Sequence, residues 1–313
     1  MADYIVDPFL GRIVSRGPNG VLETPIVGFA ESVASSPSDD LLEIYEPQGT
    51  IGCLVSETAR AVTLDGAPSN YDVLTGVDCF ALTPDRETAL VVQSSTLRRV
   101  RKMISEQVVE NLGATPAGSE FSELAVSPDG RRYAATAEDG ATLWIGPATA
   151  DPGSAAYKLY TATDETMSGP AWGRDGQELA VCTSKGNVWR LAVAAGAQPV
   201  VLAADASTDG TKNTPSWSAD GKWIAYASKN AGTLGLTSPV KAPDTAGIAV
   251  RTVKVDFAGS NVGPVAWSPS RQKLAFLANG ELWLVEAANP TRRLQLTSTT
   301  IPKFTSGKGL CWR

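Results

Sequence analysis

The 313-residue chain contains no histidine. That absence removes Ser-His-Asp and Cys-His catalysis and every imidazole-ligated metal site. Cysteine is scarce too, with four residues at positions 53, 79, 182 and 311, too far apart for a CxxC metal or redox pattern. Cys182 sits in an apolar run and reads, like Cys311, as a buried thiol. Cys53 and Cys79 fall in neighbouring segments, where pairing would need their Cα atoms within about 7 Å. No apolar stretch approaches the roughly 18 residues that span a bilayer. The opening MADYIVDPFLGRIVSRG lacks the positive start and apolar run of a secretory signal, so a cytoplasmic or virion-associated location is expected. Positive charge is outnumbered, 27 Lys and Arg against 33 Asp and Glu, with a pI near 4.9. Nucleic acid and anionic membrane are therefore not expected as partners, since both need a basic surface. GxSxG, Walker A, GxGxxG and EF-hand loops are missing as well.

What the chain has is turn chemistry: 29 Gly and 20 Pro. The stretch 121–146, FSELAVSPDGRRYAATAEDGATLWIG, holds three short apolar runs separated by Ser127-Pro128-Asp129-Gly130 and Glu138-Asp139-Gly140. Pro fixes φ at the second turn position and Gly accepts the positive φ that closes a tight connection. The unit returns as AWGRDGQELAVCTSKGNVWRL from Ala171, SWSADGKWIAYASKNAGTLGL from Ser216, AWSPSRQKLAFLANGELWLV from Ala266 and ALTPDRETALVV from Ala81. A worn copy covers 35–54, with Asp39 and Asp40 at its turn, and KFTSGKGLCWR, 303–313, reads as a shortened one. The matching positions are Ser36, Thr83, Ser127, Gly173, Ser218, Ser268 and Thr305, at intervals of 47, 44, 46, 45, 50 and 37. That is the size of a four-stranded propeller blade.

Ala-Trp-Ser-Pro at 266–269, Pro-Ser-Trp-Ser-Ala-Asp-Gly-Lys-Trp at 215–223 and Val-Ser-Pro-Asp-Gly at 126–130 resemble the WD-like repeat of TolB-type β-propellers. The resemblance spans about 120–305, thins over 30–115 and is absent from the first 25 residues. It implies an all-β propeller fold and mostly partner-binding roles, while the seven repeat copies predict seven blades in one domain, 1–313. The expected blades are 28–66, 77–113, 120–162, 167–203, 213–256 and 262–297, with a seventh made from 301–313 and 1–27. That seventh blade would close the ring and hide the sheet edges of an open array.

Trp172, Trp217 and Trp267 share one repeat position, and Trp189 and Trp283 a second. Other copies place apolar residues at the first position, so these rings are expected to pack between blades. Gly52 and Gly235 replace the second Trp. Asp129, Asp175 and Asp220 each stand alone in a turn, not in an oxygen-rich calcium cluster. A carboxylate pair could still hydrolyse a glycosidic bond, and the inner strands offer Glu31, Asp78 and Glu123. These do not make a convergent set, so no catalytic, cofactor or metal residue is assigned.

The chain departs from its own repeat in two places. Arg98, Arg99, Arg101 and Lys102 form the dense basic run, expected on an outer edge strand, and Thr237–Ile248 is an insertion carrying Lys241 and Asp244. These are the candidate partner contacts. The expected function is a non-catalytic scaffold for protein subunits, in a large assembly such as a phage virion tail or collar. The alternative is a carboxylate-based hydrolase or lyase, or a small-ligand binder, using the central channel.

Overall fold

ELAVCT (178–183), IAYA (224–227) and KLAFLA (273–278) do not alternate apolar and polar residues. They are buried along almost their whole length, on both faces. A strand of that kind needs a sheet on either side of its own, and the arrangement of strands supplies it. The computed structural model describes residues 3–7, 12–16, 22–29, 50–55, 58–63, 69–85, 87–101, 107–116, 119–149, 155–209, 214–239, 250–255, 262–268, 273–279, 281–287, 293–295 and 308–312.

Strands β1 (Asp3–Asp7), β2 (Arg12–Arg16) and β3 (Leu22–Phe29) pair into a three-stranded antiparallel sheet. Next come β4 (Thr50–Val55), β5 (Thr58–Thr63) and β6 (Ser69–Thr75). Five four-stranded sheets follow, each taken from one continuous stretch. The first holds β7 (Cys79–Leu82), β8 (Thr88–Gln93), β9 (Thr96–Arg101) and β10 (Val108–Ala114). The second holds β11 (Phe121–Val126), β12 (Arg132–Ala137), β13 (Thr142–Pro147) and β14 (Tyr157–Thr161). In the third are β15 (Met167–Trp172), β16 (Glu178–Thr183), β17 (Val188–Ala192) and β18 (Val200–Ala203). The fourth runs through β19 (Ser216–Trp217), β20 (Ile224–Ala227), β21 (Thr233–Thr237) and β22 (Val250–Lys254). The fifth comprises β23 (Val262–Trp267), β24 (Lys273–Ala278), β25 (Glu281–Glu286) and β26 (Arg293–Gln295). The last strand, β27 (Lys308–Trp312), pairs with β4 and completes a composite sheet in the order β27-β4-β5-β6. Innermost strands meet in the cyclic order β7, β11, β15, β19, β23, β27 and back to β7. The fold is an all-β propeller.

This arrangement corrects the expected seven blades and their closure. Strand β27 pairs antiparallel with β4, Cys311 opposite Gly52 and Trp312 opposite Ile51, and not with 1–27, whose strands form the separate sheet β1-β2-β3. The repeat register at the end of the chain also moves. Trp312 ends an innermost strand, as Trp172, Trp217 and Trp267 do, while Phe304 lies outside the described residues. Leu82, Val126, Trp172, Trp217, Trp267 and Trp312 then recur at 44, 46, 45, 50 and 45 residues. The even final interval is the sequence counterpart of the β27-β4 pairing.

The core lies between blades. One apolar cluster joins Ala81, Leu90 and Val92 to Leu124, Tyr133 and Trp144, and another joins Leu143 and Ile145 to Trp172, Leu179 and Trp189. Further clusters join Cys182 and Leu202 to Ile224 and Tyr226, and Leu234 and Val253 to Trp267, Leu274 and Phe276. Two cross-strand pairs set a tyrosine ring on a glycine, Tyr133 on Gly146 and Tyr226 on Gly235. A Cβ at Gly235 would lie 2.1 Å from Tyr226 Cζ. The Trp missing at 235 is thus replaced by a ring from the neighbouring strand.

Candidate functional site

The small residues that end the inner strands leave a space on the propeller axis. Ala81, Ala125, Ala171 and Ser216 line it, and Trp172, Trp217, Trp267 and Trp312 from four consecutive blades stand around it. The cavity is about 390 Å³, within the range of small-molecule sites. Among the described residues its lining includes one carboxylate, Glu123, and one guanidinium, Arg174.

Backbone geometry fixes the indoles and the carboxylate. Trp172 Nε1 donates to Ala125 O at 3.2 Å and Trp217 Nε1 to Ala171 O at 3.1 Å, each onto the inner strand of the preceding blade. The rings therefore tie adjacent blades together while one flank faces the axis. At the next interface Ser216 Oγ accepts from the backbone N–H of Trp267 at 2.9 Å, and Trp267 Nε1 is buried without a hydrogen-bond partner. Arg132 spans the same interface as Trp172, donating to Gly176 O at 2.6 Å with its guanidinium 4.9 Å from the Trp172 ring centre. Glu123 Oε2 accepts from Gly169 N–H. Gly169 has φ +61°, where a side chain would be strained, and the pairing register shifts beside it between Ser168 and Ala171. That bulge turns the N–H toward the carboxylate.

Of the two expected acids among the described residues, one lines the cavity, Glu123. Asp78 is exposed and accepts from Ser94 N–H at 2.8 Å. Glu31 lies outside the described residues. Cys79 also lines the cavity, but burial first, then the charges of Asp78 and Glu123, push its thiol well above the usual range. A thiol held protonated is a poor nucleophile. Cys79 is free, so it makes no disulfide with Cys53, and Cys182 is likewise a buried free thiol.

The turn aspartates are committed locally. Ser127 Oγ donates to Asp129 Oδ1 at 2.5 Å, Arg131 N–H donates to the same oxygen, and Arg132 N–H reaches back to Ser127 Oγ. Ser218 and Asp220 repeat the arrangement, and Thr83 and Asp85 vary it by adding the Thr88 hydroxyl. Hydrogen bonds from Ser127 and Ser218 hold Asp129 and Asp220 below the usual carboxylate range. At Asp85 burial pushes upward and is outweighed by bonds from Thr83, Thr88 and the backbone. Gly173 supplies no hydroxyl, and Asp175 keeps only the bond from Gln177 N–H.

The basic run is placed differently from expectation. Strand β9 is third in its sheet, flanked by β8 and β10, and the outer edge is β10. Arg99 and Arg101 both reach Glu110 on that edge, at 3.2 and 3.3 Å. Arg101 is exposed and pairs in register with Val108, which is 45% exposed, as is Val109. Lys102 lies outside the described residues. The insertion Thr237–Ile248 connects β21 to β22, and its Lys241 and Asp244 also lie outside them.

No family model matches the chain, and no curated protein does. Solved structures do. A structure described as a putative TolB from Agrobacterium tumefaciens superposes with a TM-score of 0.57 at 16% identity, over 84% of this chain and 91% of that one. TolB from Acinetobacter baumannii gives 0.58 at 16% identity, over 84% of this chain and 66% of that one. The fold is a TolB-type β-propeller. A chain from a nidogen–laminin complex superposes with a TM-score of 0.64 at 11% identity, over 84% of this chain and 98% of that one.

Two features of this TolB-type propeller escaped the sequence reading. Arg174 had a signal, since it fills the turn position held by Pro128 and Ala219, all three of which line the axial cavity. Trp312 had one as well, since Gly-Leu-Cys-Trp at 309–312 parallels Gly-Pro-Ala-Trp at 169–172.

Proposed function

We propose that the chain is a non-catalytic propeller that holds protein partners. The observation that supports this best is the outer edge of the β7–β10 blade, where exposed Val108 and Val109 stand beside Arg101. Apolar side chains with arginine at their rim are the composition of a protein interface. Arg98, Arg99, Arg101 and Lys102 are one contact segment in this reading. Thr237–Ile248, with Lys241 and Asp244, is the other, because loops on rigid scaffolds commonly carry binding. The likeness to TolB and to a chain from a nidogen–laminin complex agrees with such a role, and 1–313 is taken as one domain. Among the described residues Glu123 is the one carboxylate on the axial cavity, and paired-acid hydrolysis would need a second. The narrower role of a phage tail or collar subunit is one form of this scaffold, and no side-chain observation favours it over other assemblies.

The test is the mass of the protein from its native source under mild conditions. A complex of fixed stoichiometry is expected, with 98–102 or 237–248 protected from proteolysis. A free monomer that turns over a small substrate would overturn the reading.

The axial cavity favours a second reading, small-ligand binding between the tryptophans, with Glu123 and Arg174 as polar anchors. Quenching of tryptophan fluorescence by a ligand, lost in Glu123→Gln or Arg174→Ala with unchanged melting temperature, would support it. Unquenched fluorescence across a metabolite and saccharide panel would count against it.

A further inference from the structure

Among the described residues five large apolar side chains are exposed: Val108, Val109, Tyr157, Val200 and Val201. All lie on β10, β14 and β18, the outermost strands of three consecutive blades. The outer two strands of those blades carry five cations, Arg98, Arg99, Arg101, Lys158 and Arg190, against one acid, Glu110. The same strands of the other three blades carry Arg60, Arg251, Lys254 and Arg293 against Asp72, Glu281 and Glu286. With Glu178 of β16 paired to Arg190, these three blades still carry a positive surplus beside the apolar side chains that are bare among the described residues, in a chain of net charge −6.

We infer that the outer wall of these three blades is a docking surface for an acidic, apolar-studded face of a protein partner. The inference rests on the scaffold reading above and names the surface and the partner's chemistry. A specific interface takes about 20–30 residues a side, more than one outer strand offers, so adjacent blades must contribute together. The cations are placed to steer a protein face. Arg99 and Arg101 share Glu110, Arg190 is held by Glu178 at 3.2 Å, and Lys158 Nζ lies 5.4 Å from the Trp144 ring centre. Such anchored charges give orientation and on-rate against an acidic face. Nucleic acid fits less well, because the valines between the cations would be buried against phosphates and would release no counterions.

A photo-crosslinking amino acid placed singly at Val109, Tyr157, Val201 and, as a control at the cavity mouth, Ala219 tests this in cells of the native source. The expected result is one and the same protein captured from the three wall positions and not from 219, through an acidic peptide. Yield should fall at least tenfold in the double variant Arg101→Glu, Lys158→Glu at unchanged melting temperature, and fall with added salt. Adducts from 219 alone would overturn the wall assignment and leave the scaffold reading standing. Nuclease-sensitive adducts would overturn the partner's class. No adduct from any position, with the protein a free monomer, would overturn both readings.

Discussion

The hydroxyl of Ser127 does more for this fold than its size suggests. It holds Asp129 ionised, and Ser218 does the same for Asp220. A carboxyl whose native pKa lies below its unfolded value of about 3.9 stabilises the fold above that pH. The contribution is complete above about pH 5 and drains away as acid reaches the lowered values. The double variant Ser127→Ala, Ser218→Ala should melt lower than the native chain at neutral pH and lose less on acidification to pH about 3. Equal losses in thermal melts at the two pH values would disprove it. Gly235 gives a second residue-scale test. Gly235→Ala drives a methyl into the Tyr226 ring, whose hydroxyl is pinned by a 2.6 Å bond to Asp205. Overpacking of this kind costs about 1–3 kcal/mol, to be read from urea unfolding.

At the scale of the strand, each innermost element ends in a side chain that belongs to the neighbouring blade. Trp172→Ala should cost about 3–5 kcal/mol, from lost burial and the cavity left. Trp172→Phe should cost less, keeping part of the packing while forfeiting the bond to Ala125 O, a net contribution of about 1 kcal/mol. Equal unfolding midpoints for Trp172→Ala and the native chain would show that the ring is not part of the interface. This layer was largely legible in the sequence, because turn and strand alternate locally: Ser-Pro-Asp-Gly closes a hairpin whose two strands lie within a few residues of it. The position of β9 was not legible, since charge on both faces of a strand looks alike on an edge and one place inside it. What distinguishes them is β10, whose apolar Val108 and Val109 are bare.

For the whole molecule the decisive contact is between β4 and β27, Leu54 facing Lys308 and Ile51 facing Trp312. Sequence periodicity hid it. Lys-Phe-Thr-Ser at 303–306 matches the repeat's aromatic-hydroxyl step, whereas Gly-Leu-Cys-Trp at 309–312 has no turn after it, its hairpin partner lying at the other end of the chain. Deleting 308–313 should therefore be worse than deleting 1–29. The first exposes the β4 edge and the flank of β23 and should give aggregation on size-exclusion chromatography, whereas the second leaves every pair in the six-sheet ring intact. The reverse order of severity would refute the ring as described.

The composite sheet also sets an order of events during synthesis. The ribosome delivers β4, β5 and β6 early, and their inner partner β27 emerges only after more than 230 further residues, since β6 ends at Thr75 and β27 opens at Lys308. At about 5–20 residues per second that is a wait of about 10–50 seconds, while the five contiguous blades can form in turn behind the first. Through that interval the β4 edge offers unpaired backbone groups to any passing strand. The composite blade is thus where a chaperone would find this nascent chain, and where one growing copy could capture the β27 of another.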